Sequence, residues 1–132
     1  NSFFNNLFYQ CGEAAIILPN EHNSVEGNGY AKMPGGYLRV MYPEPEMCLD
    51  LPTWQEFCGF DLTGSICDVE IDINSDDLTM DIQCKRALPQ VKTDEKSCTD
   101  YYGIPMGGQR IAGPFAKLTV GRVLLNIDPR KI

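Results

Sequence analysis

The sequence predicts a mainly β, β-rich α+β chain: a single disulfide-stapled antiparallel β-sandwich or partly open barrel with one or two short helices. Three observations predict it. Apolar and polar residues alternate at period two across Val69–Ile73 and again across Leu78–Ile82, the mark of half-buried strands. Only two short stretches carry a helical pattern. Six cysteines (Cys11, Cys48, Cys58, Cys67, Cys84 and Cys98) form an even set with no C-x-x-C pair, which reads as three disulfides rather than a zinc site. At 132 residues, 1–132 is expected to be one secreted, cysteine-rich domain.

Taken in order, "SFFNNLFYQCG" places Phe4, Leu7, Phe8 and Cys11 on one helical face, with Ser2 to cap and Gly12 to close. A short helix is expected there, an extended strand being the alternative. "EAAIIL" reads as a buried strand, "NEHNSVEGNG" as an exposed loop and "GGYLRVMY" as a second strand. "TWQEFCG" matches a capping box, with Thr53 at the cap, Glu56 three residues on and Gly59 as terminator. No internal repeat of useful length is visible.

"CDVEIDINSDDLTMDIQC" follows. Val69, Ile71 and Ile73 must share a face with Leu78, Met80 and Ile82, and only a loop of even length gives that parity. The simplest register pairs Ile73 with Leu78, Ile71 with Met80, Val69 with Ile82, and Cys67 with Cys84. It makes Cys67–Cys84 the favoured disulfide, stabilising by ~3 kcal/mol on a chain-entropy argument. Residues 85–114 read as mostly loop, with a short strand at "CTDYYG". "FAKLTVGRVLLNID" reads as a strand whose apolar parity changes at Gly121, where a bulge would re-aim it.

Net charge of −7 and a pI near 4.5 disfavour nucleic acid and anionic membranes as partners. The longest apolar run, Ala14–Leu18, is too short to span a bilayer, which needs ~20 residues. The chain opens on Asn1 without a leader pattern, so any signal or pro-segment is expected to lie outside it.

Candidate chemistry is sparse. Glu70, Asp72 and Asp81 share an acidic hairpin face and are the weak metal candidates, but no calcium-loop glycine accompanies them; metal and cofactor are both expected to be absent. His22 is the single histidine, in a polar loop. A catalytic triad would have to use it. The glycine-rich "GIPMGGQRIAGP" lacks the phosphate-loop lysine. Beside it Tyr101, Tyr102, Ile104, Met106 and Arg110 make the candidate binding surface, since loops on a rigid scaffold carry recognition. The expectation is a secreted, extracellular, monomeric interaction protein, effector- or toxin-like, that binds a host or partner protein without catalysis. The alternative is a small secreted hydrolase, ribonuclease- or glycosidase-like, or a hydrolase inhibitor.

Overall fold

The N-terminal segment is not helical. In the structure, a computed structural model describing residues 1–12, 15–16, 22–33, 38–40 and 47–132, it forms strands β1 (Ser2–Phe4) and β2 (Leu7–Tyr9). Asn5 and Gln10 take left-handed backbone at φ 60 and 51, and each ends a strand. That break explains the misleading helical spacing. A strand that turns at Asn5 changes the phase of its alternation, so Leu7 faces one core while Phe8 and Cys11 face another.

The stretch read as an exposed loop repeats this arrangement. After β3 (Ala15–Ile16) come β4 (Ser24–Glu26) and β5 (Gly29–Ala31), punctuated by Gly27 at φ 70 and Lys32 at φ 47. Val25, Asn28, Tyr30 and Ala31 are buried, so this segment is core. β1 pairs with β4, and β2 with β5, in parallel and 22 residues apart. β3 pairs in parallel with β6 (Leu38–Val40), 23 residues on. A two-coil structural repeat is therefore present where the sequence shows none. Few identities betray it. Asn6 donates from its backbone and side-chain nitrogens to Asn28 Oδ1 at 2.9 and 3.1 Å, and the Phe8 and Tyr30 rings stack with centroids 5.3 Å apart. The remainder of "EAAIIL" and "GGYLRVMY" lies outside the described residues.

β7 (Met47–Leu49) runs antiparallel to β6 and leads into helix α1 (Leu51–Cys58). The helix starts earlier than the capping box implies. Asp50, not Thr53, is the cap: its carboxylate accepts the Thr53 N–H at 2.9 Å, and Pro52 sits in the first turn, where a missing N–H costs nothing. Gly59 terminates it at φ 65, as its position suggested. Trp54 is wholly buried and meets Phe60 at 5.4 Å between ring centroids. β8 (Ser65–Ile66) then adds to β5 in parallel as a third rung.

The second half holds the hairpin of β9 (Val69–Asn74) and β10 (Thr79–Cys84). The parity argument holds, because the loop is four residues long, Ser75–Leu78. The register is corrected. Ile73 faces Met80, Ile71 faces Ile82 and Val69 faces Cys84, because Leu78 takes left-handed backbone at φ 54 and belongs to the turn. Cys67 and Cys84 are therefore diagonal neighbours rather than directly opposed, and Asp81 faces Asp72 rather than Glu70. The supposed loop contains β11 (Gln90–Lys92) and β12 (Gln109–Ile111), paired antiparallel, while "CTDYYG" is a turn closed by a Thr99–Pro105 bridge. The last strand, β13 (Gly121–Asn126), begins at Gly121, which opens it at φ 114; residues 117–120 are not strand.

The chain is thus mainly β, in several sheets of which none closes. It is not simply antiparallel: four of eight strand pairings among the described residues are parallel. The β2–β5–β8 sheet lies between two apolar clusters. Phe8 and Tyr30 face the first, with Val25, Leu38, Leu51 and Trp54. Leu7, Tyr9 and Ala31 face the second, with Cys67, Val69, Ile82, Cys84 and Phe115. In this structure the six cysteines are not bonded to one another.

Candidate functional site

The loop after Cys98 is held by one carboxylate. Asp100 Oδ1 accepts the N–H groups of Tyr102 and Ile104 at 2.9 Å each, and Oδ2 accepts that of Ala116 at 3.2 Å. An aspartate serving its own turn in this way is expected from its side-chain length. The two tyrosines are consequently fixed rather than loose. Tyr101 Oη donates to the Ile127 carbonyl at 2.8 Å, and Tyr102 Oη to that of Asn126 at 2.7 Å. Their rings meet edge to face at 5.5 Å, and both pack on Phe115. Burial raises the Tyr102 pKa, with Tyr101 and Asp100 adding to the shift.

The five sequence candidates separate here. Tyr101 is 41% exposed and Ile104 is 52% exposed, so both offer surface to a partner. Tyr102 and Met106 are half-buried. Arg110 is buried, and its guanidinium donates to the carbonyls of Ile111, Ser97 and Gly113. It braces the loop from within. Burial lowers its pKa, partly offset by Asp100.

Sequence reasoning missed the other wall. A groove of about 520 Å³ runs between this loop and the N-terminal strands, lined by Phe4, Asn5, Asn6, Leu7 and Phe8 on one side and Ser97, Thr99, Tyr101 and Pro114 on the other. Its floor is tied by the Gly113 N–H donating to the Asn5 carbonyl at 2.8 Å. A second cleft of about 320 Å³ shares Phe4 and Asn5 and adds Gly27, Thr63, Lys92 and Thr93. Thr93 Oγ1 and Ser97 Oγ, one from the lining of each cleft, are buried hydroxyls without a hydrogen-bond partner. Among the described residues β1 and β2 are terminal strands of their sheets, so the edge of each that faces away from its partner strand has no strand to pair with. The only trace in sequence was "FFNNLF", an apolar run interrupted by asparagines.

Two carboxylates of the acidic face, Glu70 and Asp81, are already paired. Glu70 meets Lys32 at 3.0 Å and Lys85 at 3.1 Å, and these ammonium groups hold its pKa below the usual range. Arg122 grips Asp81 with Nε at 2.8 and 2.9 Å and lowers its pKa likewise. Asp72 joins Glu70, Asp81 and Arg122 in the lining of a cleft of about 310 Å³. Among the described residues no three His, Cys, Asp or Glu side chains are placed to hold a metal. His22 is exposed, and its carbonyl accepts the Asn1 amino group at 2.7 Å.

The cysteines fall into groups. Cys67 and Cys84 are buried in the second cluster; burial raises both thiol pKa values, and Cys67 adds to the rise at Cys84. Cys11 and Cys58 are half-buried against the first cluster, and Cys48 and Cys98 are exposed. Among the described residues no helix is long and apolar enough to cross a membrane.

Fold and groove together define a small, mainly β protein whose parallel coils and antiparallel sheet flank a slot. No family model, curated protein or solved structure matches this chain.

Proposed function

We propose that this chain is a binding module that holds an extended segment of a partner protein in the groove between the β1–β2 edge and Tyr101, without catalysis. One observation carries the reading: a groove of about 520 Å³ with the terminal strands β1 and β2 on one wall and an exposed, hydrogen-bonded tyrosine on the other. Main-chain pairing supplies affinity in such a site, and side-chain pockets supply selectivity. Tyr101 brings aromatic area that is already ordered, so little rotamer entropy is lost on binding.

The same reading extends to compartment. An even set of six cysteines without metal spacing fits an oxidising, extracellular setting, with Cys67 joined to Cys84. Diagonal neighbours in a sheet lie ~7–8 Å apart, so closing that bond needs a backbone shift. Thiol titration of the denatured protein should find no free cysteine; two or more free thiols exclude it, and peptide mapping without reduction assigns the pair.

The binding reading is tested by selecting displayed peptides on the folded protein. Selected sequences should compete with one another and lose about tenfold in affinity, or more, on Tyr101→Ala, in keeping with an aromatic anchor contributing over ~1 kcal/mol. Failure to select any peptide, or hydrolysis of ribonucleic acid or glycoside substrates that vanishes on His22→Ala, would overturn it.

A further inference from the structure

Among the described residues the sheet β13–β10–β9 has two free edges, and they differ in kind. The ladder phase is set by the Ile127 N–H donating to the Leu78 carbonyl at 2.8 Å. Odd residues of β13 therefore turn their N–H and C=O groups toward β10, and even residues turn theirs outward. At the far end of that outward row, Tyr102 Oη already occupies the Asn126 carbonyl. Among the described residues the backbone groups of Arg122 and Leu124 have no partner on that side. The side chains beside them are apolar and open: Leu124 is 66% exposed and Val120 is 62% exposed. The one charge on the strand, Arg122, is engaged by Asp81 of its own sheet. The opposite edge, β9, carries the charged side chains of Asp72 and of Glu70 with its ammonium partners Lys32 and Lys85, and such a charged edge disfavours pairing with another strand.

We infer that β13 pairs antiparallel with β13 of a second copy of this chain, joining two three-stranded sheets into one across a two-fold axis at Val123. This register uses the free groups and no others. Arg122 faces Leu124 of the partner subunit and exchanges both backbone bonds with it, and the symmetric pair does the same. The Asn126 carbonyl stays with Tyr102. On the outer face the aliphatic stem of Arg122 covers the partner's Leu124 while its guanidinium remains on Asp81. On the inner face Val123 meets its symmetry mate and Leu125 meets the partner's Gly121, where the missing side chain leaves room. No like charges face each other. The two-fold axis makes the contact isologous and closed, so pairing stops at the dimer. A dimer would replace the monomer expected from the sequence, which does not reveal which edge is left open. The inference stands apart from the groove, which uses β1 and β2.

Sedimentation velocity on the full chain, from nanomolar to high micromolar concentration, reads it directly. The wild type should pass from monomer to dimer. Leu124→Lys should weaken the dimer about tenfold or more, since each copy then sets the introduced ammonium group against the partner's Arg122 and loses the leucine contact. That ammonium group also faces Asp81 within its own sheet, so melting temperature should hold. Hydrogen exchange of the wild type gives a second readout that needs no variant: the Arg122 and Leu124 amides should slow as concentration rises. A protein that stays monomeric throughout, a dimer that survives in folded Leu124→Lys, or amide exchange independent of concentration overturns the inference. So does a chain that remains monomeric alone yet captures an unrelated strand at β13.

Discussion

Asp61 is the residue on which the two coils and the third rung meet. It is wholly buried, takes left-handed backbone at φ 56, and accepts three donors: the Asn28 N–H at 3.0 Å, Asn28 Nδ2 at 3.3 Å and Tyr30 Oη at 2.5 Å. Asp61→Ala would leave those donors buried and unpaired, an expected loss of roughly 2–5 kcal/mol by urea denaturation. Asp61→Asn keeps an acceptor for Asn28 and a partner for Tyr30, so it should cost much less. The two variants also separate in pH. Burial raises the Asp61 pKa above its ordinary 3.8, against the pull of its donors. The folded state therefore holds the proton more tightly than the unfolded one. Its contribution is fully present below the unfolded pKa and is lost as pH rises through the folded value. The stability of wild type minus that of Asp61→Asn should fall across that window; a flat or rising difference would contradict the assignment. Tyr102→Phe removes a single bond to the Asn126 carbonyl and should cost about 1 kcal/mol in the same assay.

Among the elements, β5 is the most constrained, since both its faces are core. Gly29 sits where a Cβ would come within 2.9 Å of Cys67 Sγ and 3.2 Å of both Ala112 Cβ and Leu7 Cδ1. Its need for glycine comes from close approach, not from backbone angle. Gly29→Ala should destabilise by about 1–3 kcal/mol through overpacking, read as a lowered urea midpoint; an unchanged midpoint would mean that the neighbouring strands yield freely. At the helix, Asp50→Ala removes the acceptor for the Thr53 N–H and should cost about 1 kcal/mol, whereas Thr53→Val leaves the cap in place. Had Thr53 been the cap, the two results would exchange.

For the whole molecule, the shared β2–β5–β8 sheet couples the two apolar clusters. Trp54, the one tryptophan, reports only on the first cluster, and Ile82 lies fully inside the second. Ile82→Ala should cost about 2–5 kcal/mol. That loss should appear equally in Trp54 fluorescence and in far-ultraviolet circular dichroism, because a sheet facing both clusters cannot keep one folded alone. Non-coincident transitions would show two independent units.

The β-rich class, the hairpin and its parity and the helix stop at Gly59 were all legible in the amino-acid order. Each follows from short-range chemistry: side-chain alternation and turn residues are properties of neighbours. Long-range packing settled the rest. The stacking of residues 2–9 on residues 24–31 depends on left-handed turns at Asn5, Gln10, Gly27 and Lys32, of which only Gly27 announces itself. A turn that shifts strand phase imitates helical spacing, so β1 and β2 were hidden in a helix pattern, and β4 and β5 in a loop composition. The hairpin register moved because Leu78, apolar by composition, was taken by the turn. Of the binding candidates, Tyr101 and Ile104 reached the surface while Arg110 was drawn inward by three carbonyls. The groove has one wall from the first eight residues and the other from residues 97–114, and contacts across such separation leave no local pattern to read.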